Sequence, residues 1–212
     1  MSRRVVFWLL LVAVGMGLFF IWHRFNRPAD YANFPPRAGT AWVAFGDSLT
    51  AGYGVEPGQD YPSVLGRRLG VIIENHGSAG DTSQDGLNRV EEIVRLNPRV
   101  VLLCLGGNDG LRQMSAGQMF ANLGAIIDRL HQAGAFVVLI GIRSASLFDK
   151  NEAGFKKLAN EKQVLYVPNI LDGLLTNPHL MSDSIHPNAQ GYEAIADRLE
   201  QVLRPLLPRL LP

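Results

Sequence analysis

Ala41-Trp42-Val43-Ala44-Phe45-Gly46-Asp47-Ser48-Leu49-Thr50-Ala51-Gly52 decides how the chain is read. Five apolar residues run straight into a glycine, an acid and a serine. A short apolar run that stops at turn-forming residues reads as a buried strand. The same pattern recurs downstream, and residues 71–74, 99–105, 135–142 and 164–167 read as strands two to five. Between them lie segments of helical period, at 61–69, 83–96, 115–133, 152–162 and 189–203. In the third of these Phe120, Leu123, Ile126, Ile127 and Leu130 share one face; in the last, Tyr192, Ile195, Ala196 and Leu199 do. Strands alternating with helices predict a parallel sheet covered on both faces, a three-layer α/β/α domain over residues 41–212. Residues 204–212 carry three prolines, which lack the N–H donor a helix needs, and are expected to pack as an extended tail.

The N-terminus has another character. Residues 5–22 form an almost unbroken apolar run of 18 residues, flanked by Arg3 and Arg4 before it and His23, Arg24 and Arg27 after it. At about 1.5 Å per residue, such a helix just crosses a hydrocarbon core of roughly 30 Å. The run ends Leu-Phe-Phe-Ile-Trp, which offers no small-residue cleavage site. Residues 1–25 are therefore expected to be an uncleaved transmembrane anchor in preference to a signal segment. Positive charge ahead of a first helix favours export of the chain beyond that helix. Residues 26–40, with three prolines and no helical period, read as a linker.

Composition narrows the function. Lys and Arg total 20 and Asp and Glu 19; without residues 1–27 there remain 16 basic against 19 acidic side chains, a net charge of −3. An acidic body carries no electrostatic footprint for nucleic acid. Cys104 is the one cysteine, which excludes an internal disulfide and any multi-cysteine metal site. Its apolar neighbours mark an inert buried thiol.

In an open parallel sheet, ligands bind beyond the carboxyl ends of the strands. Gly46-Asp47-Ser48-Leu49 follows strand one, Gly77-Ser78-Ala79-Gly80-Asp81-Thr82 strand two, and Gly106-Gly107-Asn108-Asp109-Gly110 strand three; Asp183-Ser184-Ile185-His186-Pro187 precedes the last helix. A serine hydroxyl is a weak nucleophile until a base takes its proton. His186 can supply that base, and Asp183, three residues earlier, can hold the other ring nitrogen. A developing oxyanion needs donors already aimed at it; the Ser48 and Gly80 backbone N–H groups and the Asn108 amide are candidates. Each piece alone has a structural reading: Ser48 or Asp183 as a helix cap, Gly80 and Asn108 as turn residues. His76, His131 and His179 compete for the role of base, with His131 expected at the surface of its helix. Asp47, Asp81 and Asp109 read as acceptors that fix loops.

Taken together, the four blocks resemble the SGNH, or GDSL, hydrolase family over residues 41–204. The resemblance is greatest to its bacterial thioesterase I/lysophospholipase/arylesterase group, through Gly80-Asp81-Thr82-Ser83-Gln84 and Gly106-Gly107-Asn108-Asp109-Gly110-Leu111-Arg112. It implies a flavodoxin-like sheet of order 2-1-3-4-5, a Ser48–His186–Asp183 triad, and an oxyanion hole of Ser48, Gly80 and Asn108. It implies hydrolysis of acyl esters or thioesters through an acyl-serine, on a small ester or lipid-like substrate, with no metal or organic cofactor. Combined with the apolar N-terminus, it implies a bacterial inner-membrane protein with a single-pass anchor and a periplasmic catalytic domain. The group often carries an Asn-aromatic-Gly segment after strand four; here the stretch is Arg143-Ser144-Ala145-Ser146-Leu147-Phe148, beside the expected acyl pocket. The same residues would also serve an O-acetyl esterase or acyltransferase acting on cell-surface carbohydrate. An anchored binding protein with a vestigial site is the non-enzymatic alternative.

Overall fold

The computed structural model describes residues 30–143 and 151–212. Among these, five strands make one sheet: β1 (Ala41–Gly46), β2 (Ile73–Gly77), β3 (Pro98–Cys104), β4 (Phe136–Ile140) and β5 (Leu165–Val167). Their order is β2-β1-β3-β4-β5, and every neighbouring pair is parallel. The helices are α1 (Ser48–Ala51), α2 (Tyr61–Leu69), α3 (Ser83–Arg95), α4 (Gly107–Leu111), α5 (Ala116–Gln132), α6 (Asn151–Lys162), α7 (Ala189–Leu203) and α8 (Leu207–Leu210).

Side chains alternate across a strand, so each strand feeds two cores. Trp42 and Ala44 of β1, Val100 and Leu102 of β3, and Val138 of β4 pack with Leu65 of α2 and Ile195 and Leu199 of α7. Val43, Phe45, Val101, Leu103 and Val137 face the other way, onto Ile93 of α3, Ile127 of α5 and Phe155 of α6. Every residue of β3 and β4 is buried, which is why both read as continuous apolar runs. The expected three-layer sheet of order 2-1-3-4-5 is the observed architecture. The order reverses between β1 and β3, and this places the loops after those two strands side by side.

Local chemistry sets the helix starts. Thr82 and Asp85 close a capping box on α3, Asp60 accepts the Ser63 N–H at the start of α2, and Asn188 accepts the Gly191 N–H at the start of α7. β2 lies two to three residues beyond the expected 71–74. It is an edge strand in which Glu74 and Asn75 are exposed, so apolar content does not mark it. The tail is not extended. Pro208 sits in the first turn of α8, where a missing N–H breaks no helical bond, and Leu210 is buried. Arg99 secures this turn by donating to the carbonyls of Leu210 (2.6 Å) and Leu211 (2.7 Å).

Within the stretch expected as a linker, Tyr31 and Phe34 pack their rings on Phe136 at 5.9 and 5.2 Å, and Asn33 donates to the carbonyls of His131 and Ala135. The expectation of a transmembrane helix, and with it of a single-pass inner-membrane protein bound to the membrane through residues 5–22, is corrected. Among the described residues no helix is long and apolar enough to cross a membrane. Residues 5–22 and 26–29 lie outside the described residues. Apolar length, the basic flanks and the missing cleavage site carried that expectation, and 18 residues is near the lower edge of what spans a bilayer.

Candidate active site

The Asp183–Pro187 loop is folded tightly on itself. Met181 and Pro187 form an antiparallel bridge, and the Ser182 N–H donates to the His186 carbonyl at 2.9 Å. Asp183 Oδ1 accepts the backbone N–H groups of Ile185 (2.8 Å) and His186 (2.7 Å), while Oδ2 lies 2.8 Å from His186 Nδ1. With Nδ1–H donating to this carboxylate, Nε2 is left as an acceptor. Ser48 Oγ is 3.0 Å from it. Burial raises the Asp183 pKa, but the hydrogen bonds from the His186 ring and the two backbone N–H groups, with the imidazole charge, outweigh it and bring it down to about 2.

Ser48 opens α1 directly beyond β1. Asp47 caps this turn by accepting the Leu49 N–H at 3.0 Å, and the Tyr53 N–H closes it on the Ser48 carbonyl at 3.0 Å. Asp47 is itself buried. That burial raises its pKa to about 7 against the pull of backbone hydrogen bonds, with Asp81 and Asp109 adding repulsion. Arg89 ties the first two loops together: it donates to Asp81 (2.6 Å) and to the Gly46 carbonyl (2.9 Å).

Gly80 has a φ of +87°, which favours glycine there, and its carbonyl accepts from Arg112 at 2.8 Å. Asn108, on α4 after β3, donates one amide hydrogen to the Asp81 carbonyl at 2.9 Å. Ser48, Gly80, Asn108 and His186 all line one cavity of about 460 Å³. Its wall is otherwise largely apolar, with Leu111, Ile142, Leu171, Leu175 and Ile185 among the lining.

The residues singled out from the sequence thus meet at one edge of the sheet. The competing histidines do not. His76 lies 3.6 Å from Glu74 on β2, and His179 is exposed in a short turn. His131 is half-buried instead of at the surface, its Nε2 has no partner among the described residues, and burial lowers its pKa. Cys104, the last residue of β3, is buried, and burial pushes its thiol pKa well up. Of the stretch 143–148, Arg143 lines the cavity and residues 144–148 lie outside the described residues. Among the described residues no group of three or more His, Cys, Asp or Glu side chains could hold a metal ion. Sequence reasoning missed Tyr53, whose ring packs on the His186 imidazole with centroids 4.4 Å apart. The glycines on either side of it, Gly52 and Gly54, were the available signal.

Residues 44–194 match the model of the GDSL-like lipase/acylhydrolase family. An arylesterase of Vibrio mimicus is 32% identical over 173 residues, 76% of this chain and 86% of that protein. The thioesterase 1/protease 1/lysophospholipase L1 of Escherichia coli K12 is 33% identical over 197 residues, 89% of this chain and 95% of its own. The crystal structure of AlinE4, an SGNH-hydrolase family esterase, superimposes with a TM-score of 0.62 at 32% identity, over 82% of this chain and 98% of that one. The chain belongs to the GDSL-like lipase/acylhydrolase family and is a carboxylic ester hydrolase.

Proposed function

We propose that residues 41–212 form the hydrolase domain and cleave acyl esters or thioesters through an acyl-enzyme on Ser48. The observation that carries this reading is the unbroken line from Asp183 through His186 to Ser48, with separations of 2.8 and 3.0 Å, at the wall of a largely apolar cavity.

Ser48 Oγ attacks the substrate carbonyl carbon as its proton passes to His186 Nε2. Asp183 steadies the resulting imidazolium and keeps Nδ1 protonated. The oxyanion forms beside the backbone N–H groups of Ser48 and Gly80 and the Asn108 amide hydrogen not held by Asp81. The tetrahedral intermediate collapses, the carbonyl–heteroatom bond breaks, and the alcohol or thiol leaves with the proton from Nε2. Water then repeats the sequence on the acyl-serine, releasing the acid and restoring the Ser48 hydroxyl. The apolar side chains of the cavity favour an acyl chain over a sugar, in keeping with relatives named for arylester, thioester and lysophospholipid hydrolysis.

The test is covalent labelling with a fluorophosphonate probe together with turnover of p-nitrophenyl esters. The wild type labels once and turns over; Ser48→Ala does neither while keeping its circular dichroism and melting temperature. Labelling that persists in Ser48→Ala assigns the nucleophile elsewhere.

A further inference from the structure

Asn108 and its neighbour Asp109 reach across to the same stretch, where the loop after β2 enters α3. Asn108 donates to the Asp81 carbonyl at 2.9 Å. The Asp109 carboxylate receives the Ser83 N–H on Oδ2 at 2.8 Å and the Ser83 hydroxyl on Oδ1 at 2.6 Å. The chain of bonds continues outward: Asn122 donates to Ser83 Oγ at 3.1 Å, and Gln118 donates to the Asn122 amide oxygen at 2.9 Å. Asp109, Ser83 and Asn122 are 2, 0 and 3% exposed.

A carboxylate is costly to bury, and a cation is the usual compensation. Its bonds here come from the neutral donors of Ser83, at the first turn of α3, where the helix dipole favours negative charge. What the arrangement supplies is geometry. It joins the loop bearing Gly80 to the short helix bearing Asn108 across 26 residues of sequence. Oxyanion donors act only when already aimed at the developing charge, so a small displacement of the Asn108 amide loses most of its effect.

We propose that Asp109 and Ser83 form a clip that positions the Asn108 amide in the oxyanion hole, with Asp109 as a positioning residue. The inference rests on the oxyanion role given to Asn108 above, and the test separates the two. kcat and KM for p-nitrophenyl butyrate are measured in the full-length chain for Asn108→Ala, Asp109→Ala, Asp109→Asn and the double variant Asn108→Ala/Asp109→Ala, with melting temperatures alongside.

Asn108→Ala is expected to lower kcat by about 10²–10³. Asp109→Ala lowers kcat by roughly tenfold or more with KM little changed, because ground-state binding does not use the oxyanion donors. Asp109→Asn recovers much of that loss, since its amide oxygen still accepts the Ser83 N–H. The deciding comparison is the double variant, whose kcat matches that of Asn108→Ala alone: a misplaced amide costs nothing further once the amide is gone. Losses that multiply overturn the clip and leave the oxyanion reading standing. Unchanged kcat in Asn108→Ala overturns the oxyanion reading and the clip with it. Should Asp109→Ala fail to fold, Ser83→Ala removes only the hydroxyl arm. Its kcat loss must likewise vanish in the Asn108→Ala background, and a loss that persists there overturns the clip.

Discussion

Asp183 grips His186 twice, through Oδ2 at the ring Nδ1 (2.8 Å) and through Oδ1 at the backbone N–H (2.7 Å). One carboxylate therefore fixes both the position of the base and its tautomer. Replacing it with an amide makes the first grip ambiguous, because the NH₂ group introduced by Asp183→Asn can donate to Nδ1. The proton then sits on Nε2, where it blocks transfer from Ser48. Asp183→Asn is expected to lower kcat on the order of 10⁴-fold, and Asp183→Ala by less, since water can take over at Nδ1. With its pKa held near 2, Asp183 stays ionised across the working range and adds no acid limb to the pH–rate profile there. What it contributes to stability is complete above its unfolded value of 3.8 and is lost as pH falls towards 2. The side chain is 43% exposed, so solvent screening keeps that contribution small. Equal turnover in Asp183→Asn and wild type would remove Asp183 from the machinery.

Asp47 behaves in the opposite sense. Its pKa is raised from 3.8 to about 7, chiefly by burial, so between those values the folded chain holds a proton that the unfolded chain has released. Stability must then fall as pH rises through that window, by an amount on the order of 4 kcal/mol once both limits are passed. Asp47→Asn keeps an oxygen for the Leu49 N–H and cannot ionise. Relative to wild type it should be equally stable near pH 4 and clearly more stable near pH 8, read from urea midpoints at each pH. A difference that does not vary with pH would show that Asp47 does not titrate in this window.

Much of this is legible in the sequence because the residues that announce it are local. β1, β3 and β4 are buried on both faces, so their apolar runs stand out, and Ser48, Gly80, Asn108 and His186 each lie in a short motif at a strand or helix end. β2 is displaced from its expected place because its exposed Glu74 and Asn75 carry no apolar signal. The partners of the site residues are silent for another reason. The Asp81 carbonyl that holds Asn108 is backbone, which every residue offers alike. The Ser83–Asp109 bonds and the Tyr53–His186 contact join residues 26 and 133 positions apart, a proximity that only the packed sheet creates. The tail departs from its expected extended form because Pro208 breaks a helix only in its interior, and its place in a first turn removes that objection.

Gly77 offers a test of how the site depends on close packing behind it. A Cβ at this position would fall on the backbone of α1, 2.6 Å from Ala51 Cα and 2.6 Å from the Thr50 carbonyl carbon. Neither atom can swing aside as a flexible side chain would. Gly77→Ala must displace α1, and with it Ser48, relative to His186. We expect kcat to fall by tenfold or more and the melting temperature to drop by several degrees, as overpacking typically costs about 1–3 kcal/mol. Gly70→Ala is the control: its Cβ meets nothing within 4 Å, so only the strain of a φ of +70° remains, and turnover should persist. Full activity in Gly77→Ala would mean that α1 can shift without disturbing the serine.

The cavity wall predicts how acyl length is read. Leu171 and Leu175, in the segment that follows β5, line the cavity together with Ile142. Burying one methylene stabilises a bound chain by about 0.8 kcal/mol, a factor of roughly four in kcat/KM. Across p-nitrophenyl esters from acetyl to palmitoyl, kcat/KM should climb by up to that factor per methylene and then level off once the cavity of about 460 Å³ is filled. Leu175 is only half-buried, so a larger side chain there can be accommodated by the fold while taking up cavity space. Leu175→Trp should therefore shift the optimum to shorter chains, leaving the acetyl ester within about twofold of wild type and lowering the longest productive esters by tenfold or more, the loss of two to three buried methylenes. The acetyl ester is the internal control, because it needs the triad and the oxyanion donors but little of the apolar wall. If the chain-length profile of Leu175→Trp overlays that of the wild type, the acyl group does not run along Leu175, and Leu111 and Ile185, elsewhere in the lining, become the wall to test.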